Sequence, residues 1–245
     1  MRLWILLALM LLAACGEASV PPPPPTPTPL RFTPLAEALA LAASAPGCTD
    51  LTTAGYLVVD RTGARLVDGL SFSAGPTPQP LASLEAQIWL AADAANTLES
   101  RLYPAGDLRY AVVLARGRLE GPGAYGPGGS YRYQLRDPSV QALAPQETTI
   151  AVLLESPAAY DGRLVRIVGA LLARDDAALL VERLGAGGLP EPGARQIKVH
   201  TPLRDRALIE RLQAASGGAV RFGQVQIEGF WRNGILLPLS ILPVS

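Results

Sequence analysis

An internal repeat restricts the fold of this chain more than any other feature. Gln196-Ile197-Lys198-Val199, a predicted strand, is echoed by Gln87-Ile88-Trp89-Leu90, and Leu108-Arg109-Tyr110 by Val220-Arg221-Phe222. Gly117 lies seven positions after Tyr110, and Gly229 seven positions after Phe222. Upstream, Ala64-Arg65-Leu66-Val67-Asp68 parallels Ala178-Leu179-Leu180-Val181-Glu182. Each match is short, but their common order predicts one structural unit built twice.

The second copy is the easier to read. Residues 163–172 are rich in β-formers and follow Tyr160-Asp161-Gly162, while Asp175-Asp176 predicts the turn into a second strand over 178–184. A loop rich in glycine and proline, 185–193, leads to a strand over 196–200. Thr201 and Pro202 predict a helix start, with threonine as N-cap and proline at the first helical position. Leu203, Ala207, Leu208 and Leu212 share one face at helical spacing, and Gly217-Gly218 supplies the stop. A long strand over 220–230 then turns at Asn233-Gly234 into residues 235–242.

The order β-β-β-α-β-β resembles the OB-fold, a five-stranded Greek-key barrel. The lead-in over 149–169, especially Ser156-Pro157-Ala158-Ala159-Tyr160-Asp161-Gly162-Arg163-Leu164-Val165, is similar to that of bacterial OB-fold proteins of the tRNA-anticodon-like group. The first copy, roughly 34–143, departs from the pattern with a short first strand and a final hairpin enlarged by residues 121–129. The expected fold class is mainly β with short helices, arranged as two tandem five-stranded OB-like Greek-key barrels over residues 34–145 and 146–245.

The start of the chain carries a different signal. Arg2 precedes an apolar run over 3–12 that closes at Leu12-Ala13-Ala14-Cys15. These four residues resemble the lipobox of bacterial lipoproteins. The resemblance implies that residues 1–14 are a signal peptide and that Cys15 is lipidated on sulfur. The chain would then be exported to the cell envelope and anchored to membrane lipid, durably so if further acylated. The apolar run itself is about 15 Å long as a helix, half of a hydrocarbon core and too short to span it. Residues 15–33 follow as a linker, in which Pro21 to Pro25, Pro27 and Pro29 predict a polyproline II spacer of about 30 Å. With Cys15 lipidated, Cys48 has no intramolecular partner, so no disulfide framework is expected. Cys48 is expected to be small and partly buried.

Candidate chemistry is sparse. Lys+Arg and Asp+Glu both number 21, which removes any global field for phosphates or anionic lipid. Gly121-Pro122-Gly123-Ala124-Tyr125-Gly126 fits a dinucleotide-loop pattern, but Ser130-Tyr131-Arg132-Tyr133-Gln134 continues as a strand where that motif needs a helix. It reads instead as the loop between strands four and five. His200 is the only histidine, no Gly-x-Ser-x-Gly elbow occurs, and the familiar Cys/His zinc spacings are missing. No catalytic residue, cofactor or metal is therefore expected.

The candidate ligand contacts are Phe230, Trp231 and Arg232 at the last hairpin, with Tyr125, Tyr131, Arg132 and Tyr133 in the comparable zone of the first copy. Alternation places Tyr131 and Tyr133 on one face and Arg132 on the other. Alternatively, the same rings cap the barrels or join the domains. OB-folds that hold single strands combine a basic groove with aromatics on strands two and three. Here the second copy carries Leu179, Leu180, Val181, Ile197 and Val199 in those strands. The expected function is a non-catalytic binding or assembly module at the envelope, whose partner is an envelope protein or an unidentified ligand. Capture of extracytoplasmic single-stranded nucleic acid or another polyanion is the alternative reading, and an envelope enzyme a third.

Overall fold

The computed structural model describes residues 29–44, 47–75, 77–90 and 96–244, so Cys15, the apolar run and Pro21 to Pro27 lie outside the described residues. In the first unit, β1 (Thr33–Pro34) enters α1 (Leu35–Ser44), followed by β2 (Thr49–Asp60), β3 (Gly63–Val67), β4 (Leu70–Ser71), β5 (Gln79–Pro80) and β6 (Ile88–Leu90). A 3-10 turn (Asn96–Arg101) then leads to β7 (Tyr103–Ala105), β8 (Leu108–Glu120) and β9 (Tyr133–Ala142). The second unit opens with β10 (Gln146–Thr148), α2 (Ile150–Glu155) and α3 (Pro157–Tyr160), then β11 (Arg163–Ala173), β12 (Ala178–Val181) and β13 (Gln196–Val199). It ends with α4 (Arg206–Arg211), β14 (Gln213–Ala214), β15 (Arg221–Arg232) and β16 (Ile235–Pro243).

The two units share one topology. Strands pair in the order β2-β3-β6-β9-β8, and β8 also pairs with β2, closing the sheet. The order β11-β12-β13-β16-β15 closes in the same way through β11 and β15. Third and fifth strands are parallel neighbours in both, β6 with β9 and β13 with β16. A short parallel strand flanks each first strand, β1 on β2 and β10 on β11. The chain is thus two tandem five-stranded mixed barrels of OB-like Greek-key form.

The glycines of the repeat have a steric cause. Gly117 and Gly229 sit at matching irregularities of the fourth strand against the fifth, where register slips between Arg116 and Arg118 and between Glu228 and Gly229. A Cβ on Gly117 would lie 2.7 Å from the Arg136 carbonyl oxygen, and one on Gly229 only 2.3 Å from that of Leu237. Such bulges bend a strand sharply enough for a small barrel to close.

Several local expectations change. The first strand of the first barrel is not short: β2 covers 12 residues and pairs with β8 from Thr49 to Val59. The helix of the second unit starts at Arg206 rather than after Thr201, because the Thr201 hydroxyl is spent on the Asp176 carbonyl. Asp205 caps the helix in its place, accepting from the Leu208 N–H at 3.0 Å. Leu203, Leu208 and Leu212 still face inward, while Ala207 is exposed. Cys48 is exposed, with its thiol 3.5 Å from a Glu120 carboxylate oxygen at the barrel rim.

Each barrel interior holds its own apolar core, and a third core lies between the barrels. On β2, Leu51, Leu57 and Val59 point into the barrel, while Ala54, Tyr56 and Val58 point out against the second unit. On β8, Val113 and Ala115 face in and Val112 and Leu114 face out. Burial on both faces explains why these strands read as continuous apolar runs rather than alternating ones. Because no rotamer relieves a clash with a backbone carbonyl, Gly229→Ala and Gly117→Ala should each destabilise the chain by about 1–3 kcal/mol, measurable as a lower urea midpoint.

Candidate functional site

The faces that meet between the barrels come from β2 and β8 on one side and β11, β15 and β16 on the other. Ala54, Val58, Val112 and Leu114 pack there with Leu164, Phe230 and Leu239. Inside this apolar layer lies one polar network. The Tyr56 hydroxyl donates to Glu228 Oε1 at 2.8 Å and lies 2.9 Å from the Ser240 hydroxyl. Arg166 closes on Glu228 Oε2 through Nε at 3.1 Å and Nη2 at 2.7 Å, and its Nη1 donates to Glu147 Oε1 at 2.7 Å. Burial first, and the Glu228 charge second, push the Tyr56 phenol well above its ordinary value of 10.0.

A strap formed by residues 29–34 seals one side. Leu30 packs against Gly162, whose φ is +71° and whose Cβ would lie 2.7 Å from the Leu30 carbonyl oxygen. The Phe32 ring lies 4.5 Å from that of Phe230, and the Arg232 guanidinium sits 5.8 Å above the Phe32 ring. Arg232 also donates to the Phe32 carbonyl, and the Thr53 hydroxyl donates to that of Thr33.

Where strap and barrels meet, a cleft of 370 Å³ remains. Its walls are Phe32, Pro34 and Leu35 from the strap and the start of α1, Leu81 from the first barrel, and Leu237, Pro238 and Leu239 from β16. Its polar lining includes Glu37, Asp68, His200, Arg204, Asp205 and Ser240. Arg204 is ion-paired with Asp68 across the barrels, and burial lowers its guanidinium below the ordinary arginine value. Asp205 is only 6% exposed; its Oδ1 caps α4, while among the described residues its Oδ2 and Asp68 Oδ1 have no hydrogen-bond partner. Cleft volume and apolar lining both fall within the range of small-molecule sites.

Most of the rings singled out in the sequence are spent on packing. Trp231 belongs to the core of the second barrel and Tyr133 to that of the first, Phe230 fills the layer between them, and Tyr131 is buried beside Trp89 at 5.1 Å. Burial leaves Trp231, Tyr131 and Tyr133 little surface for a ligand, whereas Phe230, on the opposite face of its strand from Trp231, lies in the layer between the barrels. Of the four, only Phe230 reaches the cleft wall. Arg132 is exposed on the opposite face from Tyr131 and Tyr133, as alternation requires, and Tyr125 is half-buried and bridged to Tyr131. Arg232 is engaged by the strap.

The long loop between β8 and β9 covers strands two and three of the first barrel. Cβ atoms on Gly63 and Gly126 would lie 2.1 Å and 3.0 Å from Trp89 atoms, so the indole is wedged beneath them. His200 is exposed at the cleft mouth. Among the described residues no group of three or more His, Cys, Asp or Glu side chains is placed to hold a metal ion, and no helix is long and apolar enough to cross a membrane. The sequence reading missed Asp68, Asp205, Phe32 and Leu237. Only the place of Asp68 within the repeat offered a signal for any of them.

Comparison of the chain with protein-family models, curated proteins and solved structures finds no match. Its class therefore rests on the geometry just described, a tandem pair of OB-like barrels with a cleft between them.

Two outcomes test the packing. Trp231→Ala should cost about 3–5 kcal/mol, read from urea unfolding, because it empties a barrel core. Tyr56→Phe should cost about 1–3 kcal/mol near neutral pH by leaving Glu228 and Ser240 short of a partner. A phenol with a raised folded-state pKa stabilises the fold fully below its unfolded value of about 10, and that contribution is lost as pH rises through the folded value. The urea midpoint of the parent chain should therefore fall above about pH 10, and that of Tyr56→Phe should fall less steeply.

Proposed function

We propose that the chain is an envelope lipoprotein, anchored to a membrane by acyl chains on Cys15, and that its barrels form a non-catalytic binding module whose ligand sits in the cleft between them. The cleft carries this reading: both barrels and the strap contribute walls, so a ligand there touches every part of the fold. The first barrel's own loop already occupies the surface over Trp89, which moves the open site to the junction. Leu12-Ala13-Ala14-Cys15 and the prolines after it support the anchor and spacer. The stretch from Ser156 to Val165, with the short helix Pro157–Tyr160 leading into strand one, supports placing the second barrel near the tRNA-anticodon-like OB group.

A polyanion draws less support. In the second barrel Arg166, Arg174, Arg183, Arg195 and Arg206 each lie within ion-pair distance of a carboxylate, which leaves less uncompensated positive charge to follow a phosphate backbone.

The anchor is tested in cells fed an alkyne-tagged palmitate. The parent chain should take up label and sediment with membranes, whereas Cys15→Ser should be unlabelled and soluble; equal labelling of both would defeat the assignment. The cleft is tested with N-phenyl-1-naphthylamine, a neutral apolar dye whose emission rises on leaving water. Leu237→Trp, which fills the cleft, should weaken dye binding about tenfold or more while leaving the urea midpoint nearly unchanged.

A further inference from the structure

We infer that the cleft selects a small amphiphile bearing a protonated amine, with Asp205 as the residue that receives the ammonium group. The inference rests on the cleft being a ligand seat, and it adds the chemical class of the ligand. The apolar wall of Phe32, Leu81, Leu237 and Leu239 suits a hydrocarbon or aryl body but gives no preference for its head.

The polar lining supplies that preference. It carries three carboxylates, Glu37, Asp68 and Asp205, against one guanidinium, Arg204. Arg204 is already matched by Asp68. Among the described residues Asp205 has no cationic partner; it is 6% exposed, with one oxygen bonded to the Leu208 N–H and the other unpartnered. A carboxylate oxygen removed from water without a donor is costly, and the cost disappears when a donor arrives. An ammonium group supplies three N–H donors together with the missing positive charge. A carboxylate head would instead meet the buried Asp205 as a like charge, in surroundings where repulsion is stronger than in water. A hydroxyl head would supply one donor and no charge. Affinity should therefore fall in the order amine, alcohol, carboxylate. His200 at the mouth is exposed and is not needed for this ordering.

The test uses three probes of one shape: 3-phenylpropylamine, 3-phenylpropanol and 3-phenylpropanoate. Each is titrated calorimetrically into the full chain in maltoside micelles, with protein-free micelles as the blank. The amine should bind about tenfold or more tightly than the alcohol, and the carboxylate weakest of all. Asp205→Asn keeps the helix cap, since asparagine caps as well as aspartate, and should lower amine affinity about tenfold while leaving the alcohol unchanged. Leu237→Trp should abolish binding of all three. Equal affinity for amine and carboxylate, or an unaltered amine affinity in Asp205→Asn, overturns the head-group assignment and leaves the cleft as a seat. Amine binding that survives Leu237→Trp, or no binding of any probe or of the neutral dye, overturns the seat as well.

Discussion

The Glu228 carboxylate, buried between two barrels and satisfied from both, is the constraint on which the rest of the arrangement depends. Its partners are Tyr56 from the first unit and Arg166 from the second, and Tyr56 in turn meets Ser240. An ionised carboxylate in an apolar layer tolerates few geometries, because a small rotation of one barrel strands a charge. The surrounding aliphatic contacts of Ala54, Val58, Leu164 and Leu239 would by themselves allow sliding. The network turns a greasy contact into a register, and the cleft beside it keeps its shape as a result. Pre-formed walls spare a ligand the cost of ordering them.

Much of the architecture was legible because backbone geometry left marks on residue choice. Gly117 and Gly229 stand seven residues beyond Tyr110 and Phe222 because the same bulge recurs, and Asn233-Gly234 is a two-residue hairpin turn in sequence and in space. The inward direction of Trp231 follows from its parity with Val225 and Ile227, both in the same barrel core. The paired lead-ins were harder to see. Helix α1 buries Leu35, Ala38, Leu39 and Ala42, an i, i+3, i+4, i+7 stripe adjoining the proline-rich segment. Thr201-Pro202 carried a valid cap signal that tertiary structure overrode in favour of Asp205.

The cleft left no comparable trace. Phe32, Asp68, Asp205 and Leu237 come from four distant segments, and none of them belongs to a spacing with known chemistry. Their convergence is a product of how two barrels dock, which no local pattern encodes. The barrels themselves diverge where OB folds usually meet ligands: the first packs a half-buried Trp89 against Gly63, Gly126 and Tyr131, while the second has only a tight turn there. The two units thus share one topology but differ on that surface, and the cleft lies at their junction.

The strap also orders events in time. Phe32 finds its ring partner only in Phe230, and its carbonyl meets Arg232 across 200 residues of sequence. A chain that emerges from its N-terminus exposes Phe32 long before β15, which carries Phe230 and Arg232, has been made. Thr33 and Pro34 can pair with β2 before then, but Phe32 gains its partners only when β15 is in place, and closing so long a loop comes late in folding. The strap is therefore pinned in two stages, its β1 pairing within the first barrel and its Phe32 contacts with the second, so its closure over the junction is tied to the arrival of β15.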